Sequence, residues 1–148
     1  MKSISVLIGI LIIFSGCEKV QVTNSFDDLS ISNIIGTWVV DSYEDLINNN
    51  LTKKADVDSW GGLDVILTFN TDSFTGRNTT NSVSGDFTLS GRNIHIIRYG
   101  GTKVGQPEWG NMFNDAVYRL ESYTINEQQL KFYYNNASNR INLLKVKR

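Results

Sequence analysis

Cysteine, histidine and proline each occur once in the 148 residues, and neither sign of charge is in clear excess. Fourteen Lys and Arg face fifteen Asp and Glu, a formal net charge of −1. One cysteine excludes an internal disulfide framework. One cysteine with one histidine excludes a zinc finger and any His-rich metal site. Balanced charge leaves no surplus to neutralise a phosphate backbone, so nucleic-acid binding is not expected. No uncharged run reaches the roughly 20 residues that a spanning helix needs. What is present, 41% apolar and 11% aromatic residues with twelve Gly, fits one globular domain in a chain of this length.

The apolar stretch Ile4–Phe14 follows a positive charge at Lys2 and has the length of the core of a secretory signal. Phe14-Ser15-Gly16-Cys17 comes directly after it and resembles the lipobox of bacterial lipoproteins, with small residues before the one cysteine. The family prefers Leu where this chain has Phe14. The resemblance implies cleavage before Cys17 and a diacylglyceryl group on its thiol, with fatty chains such as palmitate holding the domain at a membrane. An ordinary signal peptide is the alternative, but it would leave an unpaired reactive thiol in a secreted protein. Residues 1–16 are therefore expected to be a leader. The mature chain has 148 − 16 = 132 residues and, without Lys2, a net charge of 13 − 15 = −2.

Residues 17–33 are mostly polar and form a tether, and the domain is expected over 34–148. Within it, period-two alternation dominates. Leu63, Val65, Leu67 and Phe69 alternate with polar neighbours and Ile66, and Val83, Gly85, Phe87 and Leu89 do the same. So do Ile94 and Ile96, Tyr123 and Ile125, and Leu130, Phe132 and Tyr134. Turn residues separate these runs at Asn70–Asp72, Ser90–Asn93, Asn126–Gln129 and Asn135–Asn139. One segment has helical spacing instead: Trp109, Met112, Phe113, Ala116, Val117 and Leu120, behind Pro107 and Glu108. The expected fold is mainly β, a compact antiparallel barrel-like sheet of about seven or eight strands. One amphipathic helix is expected between strands five and six. Glu44–Gly62, polar and Asn-rich, is expected to be a mobile loop with a short helical turn near Asp45–Asn48.

From about Phe69 to Val146 the chain resembles the META, or HslJ-like, domain of bacterial envelope proteins. The match runs in order through Phe69-Asn70-Thr71-Asp72, Phe74-Thr75-Gly76-Arg77-Asn78, Ser84-Gly85-Asp86-Phe87 and Leu89-Ser90-Gly91-Arg92-Asn93-Ile94. It continues through Thr102-Lys103, Pro107 and the helix to Tyr123-Thr124-Ile125 and Gln129-Leu130, and Gly36-Thr37-Trp38 fits the family's opening strand. The resemblance implies a small β-rich barrel with a helix, in a cell envelope, and names no reaction. Where some members carry two cysteines, this chain has Arg77 and Gln106, so no disulfide is implied here.

No catalytic constellation stands out. The one histidine, His95, sits between Ile94 and Ile96 and should face away from the core; no partner suits it for metal or nucleophilic work. Asp64, Asp72 and Asp86 fit exposed strand and turn positions better than a pair of acid-base carboxylates. Gly100–Gly105 lacks the spacing of a phosphate loop and is expected to be a flexible lead-in to the helix. Trp38 and Trp109 are expected in the core. Trp60, in a polar loop beside two glycines, and Tyr133, on the outward side of its strand, are the candidate contacts for a partner or ligand.

The sequence thus predicts no catalytic residue, no metal and no cofactor. It points to a cell-envelope lipoprotein attached through Cys17, with the outer membrane as the expected membrane. Its domain would be a non-catalytic module for an unknown envelope protein or small ligand, on the periplasmic or surface face. The alternative is a lipocalin-like carrier of a small apolar ligand, because Gly36-Thr37-Trp38 also resembles the opening of that family. Against it, Phe69, Phe87 and Phe132 all point inward by alternation and should fill the interior.

Overall fold

Alternation in sequence becomes alternation in burial. On β3 (Val65–Phe69), Val65, Leu67 and Phe69 are buried while Ile66 and Thr68 are partly exposed. On β8 (Gln129–Tyr134), Leu130, Phe132 and Tyr134 are buried in the same way. The computed structural model describes residues 33–58 and 62–147. The expected leader over residues 1–16, Cys17 and Trp60 lie outside the described residues.

The remaining strands are β1 (Gly36–Asp45), β2 (Asn50–Lys53), β4 (Ser73–Asn78), β5 (Asn81–Ser90), β6 (Asn93–Gly101), β7 (Leu120–Ile125) and β9 (Asn139–Lys145). Two helices accompany them, α1 (Lys54–Val57) and α2 (Glu108–Val117). The sheet runs in the order β2-β1-β3-β4-β5-β6-β7-β8-β9, and β9 returns to pair with β1. The result is a closed, antiparallel, mainly-β barrel. Strand β1 makes the closure possible because it is long. One of its edges is shared, Gly36–Val39 against β3 and Ser42–Asp45 against β2. The other takes β9 from Trp38 to Asp45, with a bulge between Val40 and Ser42. The bulge bends the strand, and Ser42 and Tyr43 are both buried beside it.

Nine strands are present among the described residues because the stretch expected to be a mobile loop contains β2. A side-chain cap forms the turn before it. Asp45 Oδ1 accepts hydrogen bonds from the Ile47 and Asn48 backbone N–H groups at 3.0 and 3.1 Å, and Asn48 Nδ2 donates to Asp45 Oδ2 at 2.7 Å. Asn49 then adopts φ +52°, a conformation that Asn tolerates better than most residues. The helical turn expected at Asp45–Asn48 is found instead at Lys54–Val57. With β2 counted, the amphipathic helix stands between the sixth and seventh strands rather than the fifth and sixth. Strand β3 also starts later than alternation suggests, leaving Leu63 exposed.

Helix α2 links the two strands that pair least. Strands β6 and β7 pair only at Asn93 and Ser122, and the helix that joins them lies over one end of the barrel, its buried Trp109 against Tyr43 of β1 and its buried Phe113 against Tyr99 of β6. Pro107 is its N-cap, with Glu108 in the first turn, where a negative charge complements the helix dipole. The middle of the barrel is occupied by aromatic rings. The Phe69 centroid lies 5.4 Å from Phe74, 5.6 Å from Phe87 and 5.8 Å from Phe132. At the end away from α2, Ile34 is fully buried, and its carbonyl accepts a hydrogen bond from Trp38 Nε1 at 2.8 Å. The Lys145 ammonium lies 5.1 Å from the centre of the Trp38 ring, a favourable cation–π placement. Gly36 is required beneath it: its φ is +133°, and a Cβ there would come within 3.4 Å of Lys145 Cε.

Candidate binding site on the outer wall

With the inward positions spent on the core, the chemistry available to a ligand lies on the outward ones. Register brings several together. Across β1 and β9, Glu44 opposes Arg140 and Ser42 opposes Asn142. Across β8 and β9, Tyr133 opposes Arg140 and Lys131 opposes Asn142. All of these except Tyr133, together with β2, frame a groove of about 360 Å³, with Asp41, Leu51, Lys53, Gln129 and Leu144 along its sides.

A hydrogen-bonded network fixes the groove floor. Arg140 donates to Glu44 Oε2 from Nε at 2.8 Å, and its Nη2 lies 2.7 Å from the same oxygen. Asn142 Nδ2 donates to Ser42 Oγ at 3.1 Å and to Glu44 Oε2 at 3.3 Å. Ser42 Oγ donates to Asp41 Oδ2 at 3.0 Å, and Lys53 closes the rim by an ion pair with that same carboxylate. Both members of the Arg140–Glu44 pair are three-quarters covered, so the pair is screened less than a surface one. Asn142 Oδ1 is buried with no hydrogen-bond partner among the described residues. Lys131 makes no ion pair among the described residues, leaving its charge available on one wall.

Tyr133, one of the two sequence candidates, stands at the edge of this network. Its Oη is 3.4 Å from Thr124 Oγ1. That contact, followed by hydrogen bonding and charge from Arg140 and charge from Lys131, holds the phenol below its ordinary pKa against the opposing effect of burial. Trp60, the other candidate, is outside the described residues. Alternation missed Glu44, Arg140, Asn142 and Ser42 as a group. Each is an unremarkable outward polar residue until β9 closes on β1.

The loop into α2 is not flexible in the way its glycines suggest, because the side-chain amide of Asn81 pins it. Asn81 Oδ1 accepts from Val104 N at 2.8 Å and Thr102 Oγ1 at 3.0 Å. Its Nδ2 donates to Val104 O at 2.9 Å and to Gln106 Oε1 at 2.8 Å. Next to it, Asn78 Nδ2 donates to Gly110 O at 3.0 Å and Asn114 Oδ1 at 2.7 Å, and Tyr99 Oη donates to Asn114 Oδ1 at 2.6 Å. A second concavity of about 220 Å³ opens here, between Tyr99, Thr102, Lys103 and Asn114.

Burial pushes the Tyr99 hydroxyl up to about 12 from its ordinary 10.0, and burial raises Tyr43 as well. A raised phenol pKa stabilises the fold fully below the unfolded value, and this contribution is lost as pH rises through the folded one. Thermal melts should therefore hold steady at neutral pH and fall between pH 10.0 and about 12. The Tyr99→Phe variant should show a shallower fall over that range, with Tyr43 and Tyr134, both raised chiefly by burial, responsible for what remains.

The other residues weighed in the sequence fall on the surface. His95 is exposed on β6 between buried Ile94 and Ile96. Asp64 pairs with Lys54 at 2.8 Å and Asp86 with Arg98 at 2.7 Å, each carboxylate with its own cation. Asp72 lies exposed in the turn before β4.

The class defined by these features is a closed antiparallel β-barrel with a filled interior and an amphipathic helix over one end. No known family profile matches the chain, and no curated protein matches it in sequence. Two solved structures are similar in fold. One is a protein from Burkholderia xenovorans determined by NMR, with TM-score 0.62 and 14% identity over 83% of this chain and 90% of that one. The other is a DUF4847 family protein from Bacteroides vulgatus, with TM-score 0.58 and 18% identity over 82% of this chain and 98% of that one. At such identities the likeness is one of fold.

Proposed function

We propose that this chain is a lipid-anchored cell-envelope protein whose META-like barrel is a non-catalytic interaction module. Cys17 carries the lipid, and the outer membrane is the membrane it joins. The barrel recognises an envelope protein or small polar ligand through the groove between β2, β1, β9 and β8. The observation that carries this reading is the contrast between inside and outside. The interior is packed with phenylalanine rings, whereas the outer wall holds a groove whose charged floor is fixed before any partner arrives. Such preorganisation lowers the ordering cost of binding. The order of hairpin, strand, helix and closing strands from Phe69 onward is also the order on which the META resemblance rests. A lipocalin-like carrier needs a hollow where Phe69, Phe74, Phe87 and Phe132 sit.

Two measurements test the proposal. Mass spectrometry of the protein from its native envelope should find Cys17 acylated and the first sixteen residues gone; a free thiol would remove the anchor. A photo-reactive amino acid in place of Tyr133 should give one discrete cross-linked product in intact cells. Lys131→Glu should reduce that product at least about tenfold, the scale of one or two lost charge-assisted contacts. An unchanged yield with Lys131→Glu and with Arg140→Gln would place recognition elsewhere.

A further inference from the structure

We propose that the barrel end at which the chain enters is a membrane-docking face, seated on anionic phospholipid headgroups. The observations begin with a groove of about 750 Å³ formed by Ile35, Thr37, Gln128, Lys145, Val146 and Lys147. It combines apolar surface with cations. Ile35 is 41% exposed and Val146 39%. Lys145 and Lys147 flank Val146. A rigid backbone presents these residues: Val146 N donates to Thr37 O at 2.9 Å, and Lys145 N donates to Gln128 O at 3.0 Å. Arg92 lies on a turn at the same end. Two acidic groups, Asp72 and Glu127, occupy the neighbouring turns and are outnumbered. Apolar side chains between lysines suit the headgroup boundary, where alkyl stems bury and ammonium groups meet phosphates.

The length and attachment point of the tether select the bilayer as the occupant, a step that rests on the lipid-anchor reading. From Cys17 to Ile34 there are seventeen residue steps. Even fully extended, a chain of that length reaches at most roughly 60 Å. It joins the barrel at this face, not at the α2 end, so the lysines are held within reach of the headgroups. In this orientation the α2 end points away from the bilayer and the outer-wall groove stays open to the side.

The test uses the processed chain, Cys17 onward, with Cys17→Ser so that no acyl chain contributes and with a thermal melt to verify the fold. It should sediment with vesicles of phosphatidylcholine and phosphatidylglycerol, and weakly or not at all with phosphatidylcholine alone. Lys147→Glu reverses two charge units and should weaken binding roughly 25-fold, at about fivefold per charge near an anionic surface. Val146→Asp should weaken it further, while Lys131→Glu on the side wall should leave it unchanged. Absence of binding to the anionic vesicles would overturn the proposal, and so would equal weakening by Lys131→Glu, which would reflect net charge alone. Conversion of a dimer to a monomer by Val146→Asp, with vesicle binding unaltered, would assign the face to a second copy and overturn it too. None of these results bears on acylation of Cys17, which mass spectrometry reads separately.

Discussion

Trp109→Ala should lower the free energy of unfolding by about 3–5 kcal/mol, the range for removing a buried aromatic ring. At the urea sensitivity of a domain this size, the midpoint should fall by about 2 M. The indole is fully buried and meets the Tyr43 ring edge-on at 4.8 Å, a geometry that adds about 0.5–1.5 kcal/mol to the area term. Tyr43 Oη also donates to the Trp109 carbonyl at 3.3 Å, so the cavity would loosen the joint between helix and β1. A companion substitution separates packing from hydrogen bonding. Trp109 Nε1 has no partner among the described residues, whereas Trp38 Nε1 donates to Ile34 O. Trp109→Phe removes a buried N–H that gains nothing and should be the milder change. Trp38→Phe strands a carbonyl as well and should cost about 1–3 kcal/mol more.

Gly85→Ala should destabilise by about 3 kcal/mol, at the upper end of the range for overpacking a core. Replacing a strand glycine with alanine usually helps, by about 0.5–1 kcal/mol of backbone entropy. Here the space decides the sign. A Cβ at Gly85 would stand 2.5 Å from Phe74 Cε1 and Cζ and 2.6 Å from the Arg98 carbonyl oxygen. Phe74 lies directly across from Gly85 in the β4–β5 register, is buried, and stacks on Tyr99 with centroids 6.2 Å apart. It has no free direction in which to move. Urea unfolding of the variant measures the effect, and a gain in stability would mean that Phe74 is more loosely held than its burial implies.

Which parts of this protein could be read from its sequence follows from the range of the interactions involved. Phe69, Phe87 and Phe132 point inward because alternation is a local property of a strand. The Trp109–Phe113–Val117 stripe was legible for the same reason at helical spacing. Strand β2 was not, since Asn50-Leu51-Thr52-Lys53 has a single apolar residue, and that residue is exposed. Its place is set by the Asp45 turn and by the vacant half of an edge of β1. The groove was less legible still. Glu44 and Arg140 are 96 positions apart and meet only because β9 closes on β1. Tyr133 could be named as outward-facing, but the arginine that perturbs it comes from another strand. The lead-in loop looked flexible from its glycines because Asn81, which ties it down, lies more than twenty residues upstream.

These features support one physical picture: a barrel whose middle is filled by side chains, which leaves the recognition proposed above to its outer wall. The most direct measurement is a titration of the isotope-labelled chain with a medium-chain fatty acid, followed by amide and methyl NMR shifts. A filled interior predicts no saturable shifts at Leu67, Phe69, Phe87, Leu130 or Phe132. Saturable shifts confined to those residues would reveal a cavity that opens for apolar ligands and would contradict a solid core.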